Sequence, residues 1–529
     1  MGLSSPFASR LGTNYIPPDG EVLEIQSLLV EPKAISELNE ERSSVADYVD
    51  AHRALISPVR RLPLDMLQEI FVACLPTHRN CVMSASEAPV LLGRICSSWR
   101  TVSLSTARLW ARLHIVEPAA LEGVPSLDII REQKHVQRVG IAKAWLERSG
   151  QCPLSISVAG SMPPDPTPPQ YSGTNLILQT LIPFASRWQD ISLAVSLPTL
   201  ESLSSITGND VPILKTLNVK EFRERSEQPS PQWGSFGLLH GPNISSFSCL
   251  RSKSEPLGFS LRWDQLTSLS LTSVFDLAPH VTSDLAVAIF SKCPRLETCR
   301  LVVSDYDESP VVEPWRSILE LPCLLSLDIH CYGSPVTRIG GLFSYILLPE
   351  LRHLGLRGFL APEDSDNFTY FLFPTISPRL ESLEVDTQLF NKQALVALLT
   401  TLSSTIRHLR FTGRQGHPSL IEDAALAALI PSESPERSFS CPILQEFRLI
   451  CAHGVSDEAL LRFIKARMSI QPPTLHRVEL EFVRRIQLDI RPDIQPFLDA
   501  GLEVDLNYPP AFRLSLSPWA GLAEKPPNF

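Results

Sequence analysis

A short pattern, apolar-x-x-apolar-x-apolar, returns eleven times along the last two thirds of this 529-residue chain. The copies stand at Trp188/Ile191/Leu193, Leu214/Leu217/Val219, Ile244/Phe247/Cys249, Leu266/Leu269/Leu271, Leu296/Cys299/Leu301 and Leu324/Leu327/Ile329. They continue at Leu351/Leu354/Leu356, Leu380/Leu383/Val385, Ile406/Leu409/Phe411, Leu444/Phe447/Leu449 and Leu475/Val478/Leu480. First positions run from 188 to 475, which is 287 residues in ten steps, or 28.7 per step. Each copy ends in an apolar-x-apolar alternation, the period of a short strand with one buried face. Apolar runs of helical character precede many copies: Leu176–Ala185, Asp284–Ser291, Phe343–Leu347, Gln393–Leu402 and Asp457–Lys465.

One strand and one helix in ~28 residues cannot bury both apolar faces alone, so neighbours must stack. The spacing therefore predicts an α/β fold over residues 154–506, a repeat solenoid with a parallel inner sheet and outer helices. An irregular α/β domain that is merely leucine-rich is the competing reading, and it leaves the even steps unexplained. Proline stands just before several strands, at Pro294, Pro322 and Pro349, where it ends the helix and turns the chain into the sheet. The longest step, 38 residues, holds Pro431-Ser-Glu-Ser-Pro435, an expected inserted loop. These units resemble leucine-rich repeats of an irregular kind.

Composition narrows the function. Against 47 Lys and Arg stand 57 Asp and Glu, a formal charge of −10, which argues against nucleic acid and anionic membrane as general partners. The start lacks the basic-then-apolar order of a signal peptide. The most apolar runs, such as Ala394–Leu402, are half the ~18–20 residues of a membrane span. Eleven cysteines lie scattered without a CxxC pair, so the expected setting is a reducing one, cytoplasm or nucleus. The chain has no GxxxxGK[ST], HExxH, GxSxG or GxGxxG, and no catalytic residue, metal or cofactor is expected.

The first third reads differently. Residues 1–20 are expected to be disordered. Over 21–56, Leu28, Ile35, Val49 and Ile56 keep a seven-residue frame with Leu38 and Val45 between, which predicts a short antiparallel helical pair rather than a long coiled-coil dimer. A linking helix is expected within 117–153, ending near Gly150. Ser161–Gly173 carries five prolines and reads as a loop, and 507–529 as a proline-rich tail.

Between the helical pair and the linking helix lies a 57–116 segment. Pro63 suits the first turn of a helix, on which Leu67, Ile70, Phe71 and Cys74 share one face. After a polar loop, Leu91, Leu92, Ile95 and Trp99 are apolar in a second helix, and Leu109-Trp110 and Leu113-x-Ile115 close the unit. So small a unit usually needs help to bury its apolar surface. Leu62-Pro63, Leu67, Ile70-Phe71, Ile95-Cys96-x-x-Trp99-Arg100 and Leu109-Trp110, in that order, resemble an F-box. Two departures from the family pattern are a long loop after the first helix and Thr106-Ala107-Arg108 in place of the proline often found before Leu-Trp. The whole arrangement looks like the F-box proteins abundant in mushroom-forming fungi.

That resemblance implies a non-catalytic substrate receptor of a Skp–cullin–F-box ubiquitin ligase. Leu62, Pro63, Leu67, Ile70, Ile95 and Cys96 would face the Skp-type adaptor and through it a cullin, with Phe71, Trp99 and Trp110 divided between that contact and the box's own core. An intracellular recognition scaffold that binds the adaptor without a ligase role is the alternative. On the repeats, residues alternating with the anchors point to the other face of the sheet. There Arg300, Asp328, His330, His353, Arg357, Glu384, Asp386, His408 and Arg410 bring both charge signs together, either as a solvated surface whose charges pair across strands or as a candidate surface for an unknown protein target.

Overall fold

Residues that share a place in the sequence repeat share a row in the sheet. In the computed structural model Leu269 pairs with Cys299, and the row continues through Leu327, Leu354, Leu383, Leu409, Phe447 and Val478, parallel at every step. The three anchors of all eleven copies are buried, the most exposed being Leu271 at 6%. The structure describes residues 5–29, 48–118, 126–160, 173–222, 236–250, 255–272, 281–305, 318–360, 379–390, 404–413, 421–430 and 441–509, apart from a few positions within them, and the expected helical run 393–402 lies largely outside the described residues. Among these residues no helix is long and apolar enough to cross a membrane.

The chain divides into two compact units, Met1–Ile244 and Ser245–Phe529. In the first, the strands Arg112–Val116, Leu154–Ala159, Trp188–Ser196 and Thr216–Phe222 pair in sequence order, all parallel. The sheet thus begins before residue 154, where the repeats were expected to start. Leu113 and Ile115, read as the close of the small helical unit, are its first buried strand residues. Between them His114 turns to the other face, its Nδ1 2.8 Å from Ser157 Oγ on the next strand. The linking helix spans Ser126–Arg148 and buries Trp145 and Leu146. Gly150 ends it with φ +57°, a conformation in which a side chain would be strained.

The N-terminal stretch departs from the expected disorder. Phe7 and Ile25 are buried together, with Leu11, Leu28, Leu29 and Ile56 packed against them. Arg60 also donates to the backbone oxygens of Thr13 and Tyr15, each at 3.0 Å. Isolated apolar residues such as Phe7 carry no periodic signal, and only tertiary contact orders them. Helix Asp19–Leu28 begins the expected helical region. The positions of Ile35, Leu38 and Val45, like the 161–172 and 431–440 loops, lie outside the described residues.

In the second unit ten parallel strands follow one another in sequence order, from Ser246–Leu250 to Glu503–Asn507. Helices Ser283–Lys292, Val336–Ser344 and Asp457–Met468 occupy three of the connections. Where the repeat shrinks to 22 residues, between Ile244 and Leu266, short turns of 3₁₀ helix at Pro256–Gly258 and Trp263–Gln265 replace the helix, and Phe259 and Trp263 fill the core. So short a connection has no room for helix, turn and strand together. The prolines before the strands sit in one repeated turn: Leu296, Leu324, Leu351 and Leu444 donate their N–H to the oxygens of Cys293, Leu321, Leu348 and Cys441, three residues back. Proline occupies the second position of each, where its fixed φ suits the turn.

The last described residues are folded where the tail was expected to begin. Tyr508 stacks on Phe482 with ring centroids 4.4 Å apart and donates its hydroxyl to Asp457 Oδ1 at 2.9 Å. Residues 510–529 lie outside the described ones.

Candidate functional site

Helix Leu64–Ala73 carries an apolar arc wider than the part this chain covers. Leu67 and Phe71, one turn apart, are 7% and 0% exposed. Phe71 meets Trp99, ring centroids 4.8 Å apart, and Leu109 and Trp110 are buried in the same unit. Beside that stripe Met66, Ile70 and Ala73 follow at i, i+4 and i+7 on the same helix, and all three are exposed. The second helical segment is broken: Leu92–Ile95 stops at Cys96, whose Sγ accepts from the Trp99 N–H at 3.4 Å and caps helix Ser97–Ser105.

The residues read as one adaptor-facing set therefore separate. Leu67 and Phe71 belong to the core. Leu62, Cys96 and Trp99 are half-buried, Cys96 as a helix cap and Trp99 against Phe71. Pro63, Ile70 and Ile95 are exposed, and with them Val59, Leu64, Met66, Leu91 and Leu104, which the sequence pattern did not single out. Helical spacing shows where an apolar arc lies; which half of it the chain itself covers depends on tertiary packing. Large apolar side chains exposed singly are ordinary, whereas here several fall within one small unit.

On the strands, the charged residues pair across the sheet. The Arg300 guanidinium lies 3.0 Å from the Asp328 carboxylate, and His353 Nε2 lies 3.5 Å from it on the far side. Arg357 and Arg410 flank Glu384 at 3.1 and 3.4 Å, and Arg448 meets Glu479 at 2.8 Å. Asp386 instead accepts the Gly358 N–H at 2.7 Å, and His330 stacks on Tyr332. His353 and His408 share one row but stand two strands apart, with Ser382 between them. Burial raises the pKa of Asp328, but the His353 and Arg300 contacts outweigh it and hold it at about 2. Burial, and then the Arg357 charge, lowers His330; burial raises Asp386 against the opposing Gly358 hydrogen bond.

Asp328, His353 and Ser382 form a line, since His353 Nδ1 lies 2.9 Å from Ser382 Oγ. Nucleophilic chemistry would also need donors aimed at a developing oxyanion. His353 and Ser382 both commit their own backbone N–H groups to the ladder at 2.9 Å. Among the described residues no group of His, Cys, Asp and Glu could hold a metal ion. All eleven cysteines are unpaired, and burial pushes the Cys293, Cys331 and Cys441 thiols up to about 12.

Two buried charges escaped the sequence reading. Asp457 is 1% exposed and accepts from Arg484 Nη2 at 2.6 Å, from the Gln487 and Leu488 N–H groups, and from Tyr508. Arg467, fully buried, donates to the Cys441 oxygen at 2.7 Å, inside one of the proline turns. Neither lies near a motif; the only signal was the Ser456-Asp457 pair at a helix start, an ordinary cap.

No family model and no curated protein matches this chain. Among solved structures, a crystal structure of a Bacteroides fragilis protein is similar over 42% of this chain and 64% of that one, with 15% identity and a TM-score of 0.28. The chain thus spans less than two thirds of that protein's length.

Proposed function

We propose that residues 57–116 act as an F-box that docks a Skp-type adaptor, and that the parallel repeats hold a target protein for a Skp–cullin–F-box ubiquitin ligase. The observation that supports this reading is the uncovered apolar face. Seven of the large hydrophobic residues that are exposed, Val59, Leu64, Met66, Ile70, Leu91, Ile95 and Leu104, fall between 59 and 104. Over the whole second unit only five do among the described residues: Ile318, Leu325, Leu347, Ile486 and Leu488. A partner that buries Ile70 and Ile95 gains about 1.5–3 kcal/mol for each fully covered side chain, and such central anchors dominate affinity.

The target would meet the charged strand face. Arg357, Arg410 and Arg448 each pair with a carboxylate of this chain while their guanidinium groups stay part-exposed with further donors, and an acidic segment of a target would accept from those. The test is affinity purification with mass spectrometry on the intact chain beside Ile70→Asp/Ile95→Asp. Adaptor and cullin should vanish from the variant while targets remain. Equal recovery of the adaptor from both would end the assignment.

A further inference from the structure

A cleft of about 350 Å³ opens in the first unit where the small helical box meets the linking helix. Trp110, Trp145, Ile141, Leu104 and Val90 give it an apolar lining. The two indoles meet edge to face, with centroids 4.7 Å apart. Trp110 donates to the Ser103 oxygen at 2.8 Å, whereas the buried Trp145 indole N–H has no acceptor among the described residues. An unpaired buried donor is costly, at about 1–3 kcal/mol.

The charged groups on this lining are all of one sign. Arg94, Arg100 and Arg148 line the cleft, and none is in an ion pair among the described residues. Arg100 Nε donates to the Gly93 oxygen at 2.8 Å, Arg94 reaches the Ala85 oxygen at 3.4 Å, and Arg148 lies over the Trp110 ring at 4.9 Å. These contacts position the guanidinium groups and leave most of their donors unused, since each carries five. Elsewhere in the same unit exposed arginines do find carboxylates, as Arg79 does with Glu87 and Arg108 with Glu69. Three cations with no counter-charge among the described residues, set around an aromatic cleft, complement an anion with a flat apolar body.

We infer that this cleft binds a small aromatic carboxylate, its ring against Trp110 and Trp145 and its carboxylate held by the arginines. The volume falls at the small end of ligand pockets, which run ~300–1,000 Å³, so the fit is to a compact mono-acid. The site goes beyond adaptor docking but shares Leu104 with the proposed adaptor face, so the ligand is tested on the chain alone, without adaptor.

Calorimetric titration of the full chain with 2-naphthoate and with its neutral amide, 2-naphthamide, tests the site. The acid should bind saturably and ~10-fold or more tighter than the amide, as charge-assisted hydrogen bonds require, with the ratio narrowing as salt screens the arginines. Arg94→Gln/Arg100→Gln should bring the two affinities together while leaving amide binding in place. Absence of saturable naphthoate binding, equal affinity for acid and amide, or a salt-independent ratio in the unmodified chain would each overturn the inference. So would a folded variant, checked by circular dichroism, that keeps the preference.

Discussion

Asp328 stands where a side chain on Gly355 would go. The two are register partners on adjacent strands, and a Cβ on residue 355 would lie 1.9 Å from Asp328 Oδ1. The missing side chain lets the carboxylate lie across the neighbouring strand, between Arg300 and His353. Gly355→Ala should therefore displace Asp328 and cost about 1–3 kcal/mol, the usual scale of overpacking. Adding Asp328→Ala should recover part of that cost, so the double variant is more stable in urea than the summed singles predict.

Acid should loosen the repeats through the same carboxylate. With its folded pKa at about 2 and an ordinary value of ~3.9, Asp328 stabilises fully above about pH 4, and the contribution disappears as pH falls through 2. The loss amounts to about 2 kcal/mol. Asp457 acts with the same sign: burial raises its pKa, but Arg484, the two backbone N–H groups and Tyr508 bring it below the ordinary value. Urea midpoints measured from pH 6 down to 2 should fall below pH 4, and less steeply in Asp328→Asn or Asp457→Asn, each of which starts from a lower midpoint at pH 6.

The buried and exposed stripes of helix Leu64–Ala73 should answer mutation differently. Phe71→Ala removes a fully buried ring and should cost about 3–5 kcal/mol in thermal or urea unfolding. Met66→Ser/Ile70→Ser changes exposed positions and should stay within about 1 kcal/mol of the unmodified chain. If the second pair proved as destabilising as the first, the exposed stripe would be part of the core rather than a surface for a partner.

The repeats were legible because one buried face per strand leaves a strict mark: every anchor from Trp188 to Leu480 is buried, and the row from Leu269 to Val478 is in register. Leu113 and Ile115 were legible as apolar alternation but not as sheet, since their partner strand begins at Leu154 and pairing across that distance leaves no local trace. The charged surface was legible as a set of outward positions, and only the structure could separate Arg300, Asp328 and His353 from Arg357, Glu384 and Arg410. Leu67 and Ile70 lie on one helix with the same apolar character, and tertiary packing alone assigns one inward and the other outward.

The charged face should be separable from the box. Arg357→Gln/Arg410→Gln leaves Glu384 in place and removes both cations beside it. Capture of targets should fall several-fold, while recovery of the adaptor stays unchanged. Equal loss of both, or of neither, would count against target recognition on this face.

The central claim is that residues 59–104 are covered by an adaptor. Amide hydrogen exchange on the full chain, with and without a purified Skp-type adaptor, reads that directly. Added protection should concentrate on peptides carrying Leu64–Ile70 and Leu91–Leu104, and the repeats from Ser245 onward should exchange as before. Unchanged exchange throughout, or protection confined to the repeats, would contradict the account.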